Sequence, residues 1–291
     1  MSATDVFVAH RNLLFTVAYE MLGSAADAED VLQETWLRWA DVDLDEVRDE
    51  RAYLVRITTR LSLNRLRTMA RRREAYVGPW LPEPLLTAPD VADDVELADS
   101  VSTAMMLVLE TLTPTERAVF VLREVFDVPY DEIAEAVEKS PAAVRQIAHR
   151  ARSHVESRRP RSSVTAAERE AVLQKFITAT TTGDIQSLMD VLAPDVVLLT
   201  DGGGVKRAAL RPIHGRDKVM RFMEGGAARG GGVERADIVV LNGVPALQLW
   251  IDGEVDTVLS LKMENGVATA LYAVRNPEKL RAIVNEVTLV R

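Results

Sequence analysis

The stretch that most constrains this chain is residues 113–155, which has the pattern of two short helices separated by a tight turn. Residues 131–137 predict the first helix, and residues 138–139 predict the turn. Ser140 and Pro141 then form a strong helix start, because serine caps a helix N-terminus and proline suits the first helical position. The second helix has apolar residues at spacings of three and four, which predict one core-facing stripe. This stripe consists of Val144, Ile147, Ala148, Ala151 and Val155.

The opposite face of the second predicted helix is polar and basic. It consists of Ala142, Arg145, Gln146, His149 and Arg150, with Arg152 on its flank. Small residues near a helix N-terminus allow close approach to DNA, glutamine and arginine suit base edges, and flanking arginines suit phosphates. The stretch therefore predicts a helix-turn-helix that reads the major groove. A solvated polar face on an ordinary helical hairpin is the alternative.

Charge is segregated along the chain in a way that the net charge of −9 conceals. Residues 48–73 contain nine arginines and two acids, and residues 139–161 contain seven lysines or arginines and one acid. Between them, residues 76–112 contain seven acids and no lysine or arginine. Two basic segments around an acidic spacer indicate two surfaces suited to an anionic polymer.

Composition excludes several classes of function. The 291 residues are 47% apolar and include no cysteine, so the chain has room for two or three domains but no disulfide framework or thiol nucleophile. The four histidines lack the spacing of metal ligands, which predicts a chain without a metal or other cofactor. No signal peptide or long apolar run is present, which predicts a cytoplasmic protein.

Two helices are predicted ahead of the first basic segment, over residues 5–22 and 25–39. One side of the second helix presents acidic and polar residues around an exposed leucine. These residues are Asp30, Gln33, Glu34 and Leu37. Such a face suits a docking site for a partner helix, and plain solvent-facing surface is the alternative.

A long helix is predicted from about residue 50 to residue 73, with its arginines gathered on one face. That face carries Arg56, Arg60, Arg67 and Arg71, with Asn64 beside them. Four arginines on one stripe with few compensating acids predict a track for a nucleic-acid backbone, where each neutralised phosphate adds to a salt-dependent affinity.

The segment after the long helix is first rich in proline and then acidic. Residues 76–84 contain three prolines and predict an extended, stiff linker, in which Trp80 and Leu81 need a neighbouring domain to cover them. Residues 90–99 are acidic and predict either a solvated spacer or a mimic of nucleic acid. Pro-Arg-Ser-Ser at residues 160–163 marks a domain boundary.

The remaining residues predict an α+β domain. From residue 165 the periodicity predicts two helices, a strand, a short helix and then four strands separated by Asn-Gly, Asp-Gly and Asn-Gly turns. Helices followed by a meander of strands are typical of the α+β class. Gly202, Gly203 and Gly204 predict a turn with positive φ, since no P-loop signature follows them.

The order of these parts resembles an extracytoplasmic-function sigma factor of bacterial RNA polymerase. The resemblance rests on Asp-Ala-Glu-Asp-Val-Leu-Gln-Glu-Thr-Trp at residues 27–36, the arginine-rich run at 52–67, and Leu-Thr-Pro-Thr-Glu-Arg ahead of the helix-turn-helix. It implies an all-α sigma region 2 over residues 1–75, a linker over 76–104, and a helix-turn-helix sigma region 4 over 105–160.

The same resemblance implies roles for the surface residues. Contact with the RNA polymerase core is implied for Asp30, Gln33 and Glu34. Contact with the promoter −10 strand is implied for Arg56, Arg60, Asn64 and Arg67. Recognition of −35 bases is implied for Ala142, Arg145, Gln146, His149 and Arg150.

The tail, residues 165–291, resembles the SnoaL-like domains of the NTF2-like superfamily, which implies an α+β cone. Sigma factors with such a tail form a subgroup, numbered 41, with three motifs. Trp-Leu-Pro-Glu-Pro is intact at residues 80–84, Asp-Gly-Gly-Gly-Lys has a valine inserted before the lysine at 201–206, and Asn-Pro-Asp-Lys-Leu has glutamate for aspartate at 276–280. The resemblance implies regulation in cis by the tail through these motifs. The implied residues are Trp80, Leu81, Asp201, Gly202, Gly203, Gly204, Lys206, Asn276, Pro277 and Lys279.

The sequence therefore predicts a multidomain sigma factor and not an enzyme. Its predicted partners are RNA polymerase core and promoter DNA, and its tail is predicted to contact region 2 and the linker. The alternative is a DNA-binding regulator whose tail is a small-molecule-binding or isomerase-like enzyme. Such an enzyme needs an acid–base pair in the pocket of the cone, for which Asp201 and His214 are the candidates. An unidentified small ligand in that pocket also remains open.

Overall fold

The structure, a computed structural model, divides the chain into two helical domains and an α+β tail. It describes residues 2–88, 94–158, 165–182, 185–227, 233–284 and 286–291. The predicted fold class is confirmed, whereas the boundary predicted at residues 160–163 lies outside the described residues. Across those described ranges, no helix is long and apolar enough to cross a membrane.

The first domain consists of three helices, α1 (Ala3–Leu22), α2 (Ala25–Ala40) and α3 (Glu50–Glu74). Gly23 ends α1 in a left-handed conformation with φ 68°, which glycine adopts at no steric cost. Ser24 then caps α2 by accepting a backbone hydrogen bond. One side of α1 and one side of α2 are apolar and buried, so the three helices form around one apolar centre.

The second domain consists of five α-helices and one turn of π-helix, Val121–Val125. The α-helices are α4 (Val95–Val101), α5 (Thr103–Leu109), α6 (Pro114–Phe120), α7 (Tyr130–Val137) and α8 (Pro141–Glu156). The last two form the predicted helix-turn-helix, with Glu138 at φ 57° in the turn and Ser140 capping α8 through the Ala143 amide. The five apolar residues predicted to face the core of this domain are all buried, which confirms that prediction.

The linker over residues 76–88 has no helix, as its prolines predict; it bends at residues 77–78, where Gly78 has φ 84°, and forms isolated β-bridges at Leu86 and Thr87. Leu81 and Leu85 in this segment are almost completely buried. The acidic segment differs from the predicted spacer. Residues 89–93 lie outside the described part of the chain, and Asp94 caps α4 through the Leu97 amide.

The two helical domains share one apolar core instead of forming separate cores. Leu54 of α3, Met106 of α5 and Ile133 of α7 all belong to the same cluster of buried side chains. Helix α3 packs directly on α6 and α7. The two predicted DNA-binding surfaces are therefore parts of one compact unit.

The tail packs helices against a six-stranded sheet. Its elements are α9 (Ala166–Thr182), α10 (Ile185–Val191), β1 (Leu192–Asp201), β2 (Ile213–His214), α11 (Arg216–Ala227), β3 (Arg235–Leu241), β4 (Val244–Ile251), β5 (Glu254–Glu264), β6 (Val267–Val274) and α12 (Pro277–Leu280). The strand order is β2-β1-β6-β5-β4-β3, and every neighbouring pair is antiparallel except β1 and β6. The last four strands match the predicted meander closely.

Local sequence signals account for the ends of these elements. Thr165 and Glu168 form a capping box at the start of α9. Asn242, Asp252 and Asn265 have φ between 52° and 55° in the three hairpin turns, each followed by a glycine with positive φ. These are the backbone angles of tight hairpins, so the predicted turns are confirmed.

Candidate nucleic-acid interface and interdomain contact

The polar face of α8 is open to solvent. Ala142, Arg145, Gln146, His149 and Arg150 are all exposed, and the last four line one shallow concavity. The Arg150 guanidinium lies 4.0 Å from the Glu116 carboxylate, a contact too long to fix it. A helix face of this kind is free to enter a major groove without rearrangement inside its own domain.

The arginine face of α3 is partly covered by the first helix of the helix-turn-helix. Arg56 Nη1 donates to Glu135 Oε2 at 2.8 Å, and Arg60 Nη2 donates to the Glu135 carbonyl oxygen at 2.8 Å. The Arg60 guanidinium also lies 3.6 Å from the Glu138 carboxylate. Two residues predicted to contact the −10 strand therefore have anionic partners from the other helical domain.

The rest of this arginine face is uncovered. Asn64 and Arg67 are exposed, and Arg67 donates to the Asn64 side-chain oxygen at 3.0 Å. The side chain of Arg71 lies outside the described residues. The structure thus separates the predicted track into a covered half and an open half.

The acidic face of α2 lies on the outside of the compact unit. Asp30, Gln33 and Glu34 line it, and Leu37 beside them is 65% exposed. Asp30 pairs with Arg65 at 2.6 Å, which orients that carboxylate without covering the face. A large exposed leucine among acids suits the docking of a partner surface that is both basic and apolar.

Asp201, at the end of β1, is the centre of the contact between the tail and the linker. Its fully buried carboxylate accepts hydrogen bonds from the Tyr76 hydroxyl at 2.6 Å, the Leu81 amide at 2.9 Å and Lys279 Nζ at 2.7 Å. Lys279 also donates to the Leu81 carbonyl oxygen and lies 4.4 Å from the centre of the Trp80 ring. Burial lowers the pKa of Lys279, and the Asp201 carboxylate opposes that shift.

The motif at residues 276–280 reaches the linker through Asn276. The side-chain nitrogen of Asn276 donates to the Tyr76 hydroxyl at 2.9 Å, and its oxygen accepts from the Glu278 amide at 3.0 Å. Pro277 occupies the first position of the short helix that begins there. A Cβ added at Gly203 would lie 2.5 Å from Asn276 Cγ, so only glycine fits this approach. All three motifs therefore meet around one buried carboxylate.

The remaining residues of the glycine turn have separate contacts. A Cβ at Gly202 would lie 2.2 Å from the Lys206 carbonyl oxygen, and one at Gly204 would lie 3.3 Å from Val77 of the linker. Lys206 does not reach the linker, which differs from its implied interdomain role. Its Nζ donates to the buried Asp256 carboxylate at 3.0 Å within the tail, and the same carboxylate accepts from Arg275 Nη2 at 2.8 Å.

A second contact between the tail and the helical domains involves the turn between β3 and β4, which the sequence indicated only as a hairpin. Asn242 is buried, and its side-chain nitrogen donates to the Tyr19 hydroxyl at 2.6 Å and to the Val101 carbonyl oxygen at 3.1 Å. Its oxygen accepts from the Leu85 amide at 3.1 Å. An Asn-Gly pair indicates a turn but not its partners, so the sequence offers no signal for this contact. One amide thus joins both helical domains, the linker and the tail.

A buried charge network joins the two helical domains to each other. Glu20 of α1 accepts from the Ser100 hydroxyl at 2.7 Å, and Arg117 Nε donates to the Glu20 carbonyl oxygen at 2.9 Å. Glu110 pairs with both Arg117 and Arg73. Burial raises the pKa of Glu20 to about 8, while the Ser100 hydrogen bond and the Arg117 charge oppose the shift.

Residues 286–291 lie across both helical domains. The Val290 amide donates to the Thr16 hydroxyl at 3.2 Å, and Arg291 pairs with Asp94 at 2.9 Å. This segment adds a third point at which the tail contacts the compact unit. No pattern in its sequence indicates that role.

Comparisons with known proteins match this arrangement of domains. Family models described as Sigma-70 region 2 and Sigma-70, region 4 match residues 6–73 and 102–155. Over 286 residues the chain is 37% identical to the ECF RNA polymerase sigma factor SigJ of Mycobacterium tuberculosis, covering 94% of this chain and 91% of that protein. The probable ECF RNA polymerase sigma factor SigI of the same species is 32% identical over 275 residues, covering 94% of this chain and 92% of that protein. The crystal structure of M. tuberculosis SigJ matches with a TM-score of 0.77 and 34% identity, over 97% of this chain and 99% of that one.

The chain therefore belongs to the extracytoplasmic-function (ECF) RNA polymerase sigma factors. It is a sigma factor that binds RNA polymerase core and directs promoter-specific initiation of transcription. Its similarity to SigJ extends through both helical domains and the tail, because the match covers nearly the whole of each chain. The first helical domain is region 2 and the second is region 4 of this family.

The second contact of the tail, made by the turn between β3 and β4, can be tested by substitution of its glycine. We expect Gly243→Ala to lower the thermal stability of the protein more than Gly253→Ala. Both glycines have positive φ, 71° and 75°, so both substitutions carry the same backbone strain of about 1–2 kcal/mol. A Cβ at position 243 would also lie 2.6 Å from Ala98 Cα, whereas nothing lies within 4 Å of one at position 253. Calorimetry would measure the difference, and equal melting temperatures for the two variants would contradict the contact.

The buried Glu20 carboxyl generates a prediction about pH. Its pKa, about 8 in the folded protein, exceeds the usual value of 4.5, so the folded state binds the proton more tightly than the unfolded chain does. The contribution of Glu20 to stability is therefore complete below about pH 4.5 and is lost as the pH rises through about 8. We expect Glu20→Gln, which keeps an acceptor for Ser100, to reduce the fall in melting temperature between pH 6 and 8. Glu29→Gln, in an exposed pair with Arg11, is the control and should keep the wild-type slope.

Proposed function

We propose that this sigma factor is held in a closed state by its tail, and that its three exposed or partly exposed surfaces carry its contacts with polymerase and promoter. In this proposal Asp30, Gln33 and Glu34 contact the polymerase core. The α3 residues Arg56, Arg60, Asn64 and Arg67 contact the −10 strand, and the polar face of α8 reads the −35 element. The exposure of these faces and the match to regions 2 and 4 support the assignment. The proposed place of action is the cytoplasm, where bacterial polymerase and DNA lie.

The observation that carries the closed state is the Asp201 cluster. A fully buried carboxylate without partners is strongly unfavourable. Here two of its hydrogen-bond partners come from the linker, one from the segment after β6, and one is the Gly203 amide of its own turn. Separation of the tail from the linker would break the Tyr76 and Leu81 hydrogen bonds to Asp201, whereas the Asp201–Lys279 pair lies within the tail and would remain. Each buried polar group left without a partner costs about 1–3 kcal/mol until water reaches it. The cluster therefore fixes the linker, and with it the spacing between region 2 and region 4.

The closed state is poorly suited to promoter binding. Helix α7 of region 4 covers part of the α3 face in region 2, so the proposed −10 and −35 surfaces are not both free. Engagement of both promoter elements then requires the two domains to separate. Polymerase core or another signal would act by binding the open form better than the closed form, since a ligand shifts an equilibrium only through that difference.

The tail is proposed to act through protein contacts and not through catalysis. Asp201, one candidate for an acid–base pair, is committed to Tyr76, Leu81 and Lys279, while His214 is exposed on β2. These two residues therefore offer no support for the alternative of an isomerase-like tail. A cavity of about 290 Å³ lies where region 2, the linker and the tail meet, lined in part by Arg73, Trp80 and Lys279. That cleft belongs to the regulatory contact.

The closed state is tested by transcription in vitro with RNA polymerase core on a broad promoter library. We expect Asp201→Asn to raise initiation by about tenfold or more, because the buried Lys279 would lose its counter-charge and the closed state its stability. Asp252→Asn is the matched control, since Asp252 is exposed in a hairpin turn at φ 55°, a conformation that asparagine tolerates. Lower initiation by Asp201→Asn would instead make the tail contact a required part of the open complex.

Truncated chains separate the roles of the tail and of its last segment. Chains that end at Arg161 and at Asn276 should both initiate more than the full-length chain, because the second lacks Lys279 and the first lacks the whole tail. Failure of every chain to initiate on any promoter would refute the surface assignments. Unchanged initiation after loss of the tail would revive the separate-enzyme alternative for that domain.

A further inference from the structure

We propose that helix α7 of region 4, with Glu138 at its end, is an in-chain competitor of single-stranded DNA for the arginine face of α3. The inference rests on the proposed contact between that face and the −10 strand. It goes beyond the closed state held by the tail, because the competitor lies in region 4 and makes no use of the three motifs. In this arrangement one DNA-binding domain masks the other.

The end of α7 presents acceptors of the kind that a nucleic-acid backbone presents. Arg56 bonds the Glu135 carboxylate at 2.8 Å, and Arg60 bonds the main-chain carbonyl of the same residue at 2.8 Å. The last four carbonyls of a helix have no partner within the helix and carry its partial negative charge. The Glu138 carboxylate, 3.6 Å from Arg60, adds a second full charge at that end. Two arginines therefore meet two carboxylates and one helix-terminal carbonyl oxygen.

The covered part of α3 also has an aromatic platform. The Arg56 guanidinium lies 4.7 Å from the centre of the Tyr53 ring on the same helix. An aromatic ring beside arginines is typical of surfaces that bind single strands, where bases stack and phosphates pair with cations. The ring that α7 carries, Tyr130, lies against Arg123 of its own domain, and the residues that α7 brings to Arg56 and Arg60 are glutamates. The chemistry of the masked surface thus suits a single strand, which brings both phosphates and bases.

The charged part of the competing contact is weak enough to be displaced. The Glu135 and Glu138 side chains are 65% and 76% exposed, so each ion pair is hydrated and screened. Asn64 and Arg67 lie outside the contact and are exposed, which gives a strand a first place to bind. Binding can then extend along α3 as the strand replaces the two glutamates.

The test measures the affinity of the full-length chain for a fluorescein-labelled, mixed-sequence 20-nucleotide single strand by fluorescence anisotropy. We expect Glu135→Gln/Glu138→Gln to tighten binding about 2- to 10-fold at low salt, because two exposed pairs together contribute modestly. The difference in affinity between this variant and the unsubstituted chain should become smaller at 0.5 M NaCl, where such ion pairs are screened.

The matched control is Asp127→Asn/Asp131→Asn. This pair changes the net charge of region 4 by the same two units, and both residues are exposed and outside the contact with α3. Asp127 has φ 48°, which asparagine also adopts. The control should tighten binding clearly less than the Glu135/Glu138 variant. Equal tightening by the two double variants would reduce the effect to net charge and overturn the proposal, as would an unchanged affinity of the Glu135/Glu138 variant.

A third double variant distinguishes failure of this inference from failure of the proposed −10 contact. Asn64→Ala/Arg67→Ala alters only the uncovered part of α3 and should weaken binding of the strand. If it weakens binding while the Glu135/Glu138 variant has no effect, the −10 contact stands and the competitor role of α7 is wrong. If it leaves binding unchanged, the assignment of α3 to the −10 strand is itself wrong, and the competitor role is lost with it.

Discussion

The rest of the structure depends on the burial of one charged carboxylate, that of Asp201. A buried charge must be paired and hydrogen-bonded, and this one takes its partners from Tyr76, Leu81 and Lys279. All three lie far from Asp201 in the sequence, so satisfying the carboxylate brings the linker, the end of β1 and α12 to one place. The requirement for glycine at position 203 has the same origin, because the backbone there must approach Asn276 closely. The position of the linker then sets that of the helical domains.

The contact between region 2 and region 4 combines an apolar core with buried charge. The shared cluster of side chains stabilises the compact form by removing apolar surface from water. Glu20 and Arg117 oppose it in part, because each has one buried polar atom with no partner among the described residues. Water would satisfy those atoms once the domains separate. An interface built this way has a smaller difference in free energy between closed and open forms than a purely apolar one.

The sequence predicted what local chemistry determines. The Ser140 cap, the hairpin turns and the apolar stripes follow from rules that act within a few residues, and the structure confirms them. It did not predict the partners of Asn242, Lys206 or Arg56. The sequence alone does not indicate the hydrogen-bond partner of any of these side chains, because each partner comes from an element that is remote in the chain. A periodic pattern shows which face a helix leaves polar, but not which other element covers it.

The segregated charge of the chain follows from the same arrangement. A net charge of −9 is unexpected for a DNA-binding protein, but many of the acids are partners of arginines elsewhere in the chain. In the closed form, acids of region 4 pair with arginines of region 2, and the acidic residues around α4 pair with Arg291. These acids act as counter-ions supplied by the chain itself. DNA binding would then replace these carboxylates by phosphates as the partners of the arginines. The affinity for DNA therefore depends on the stability of the carboxylate–arginine pairs in the closed form.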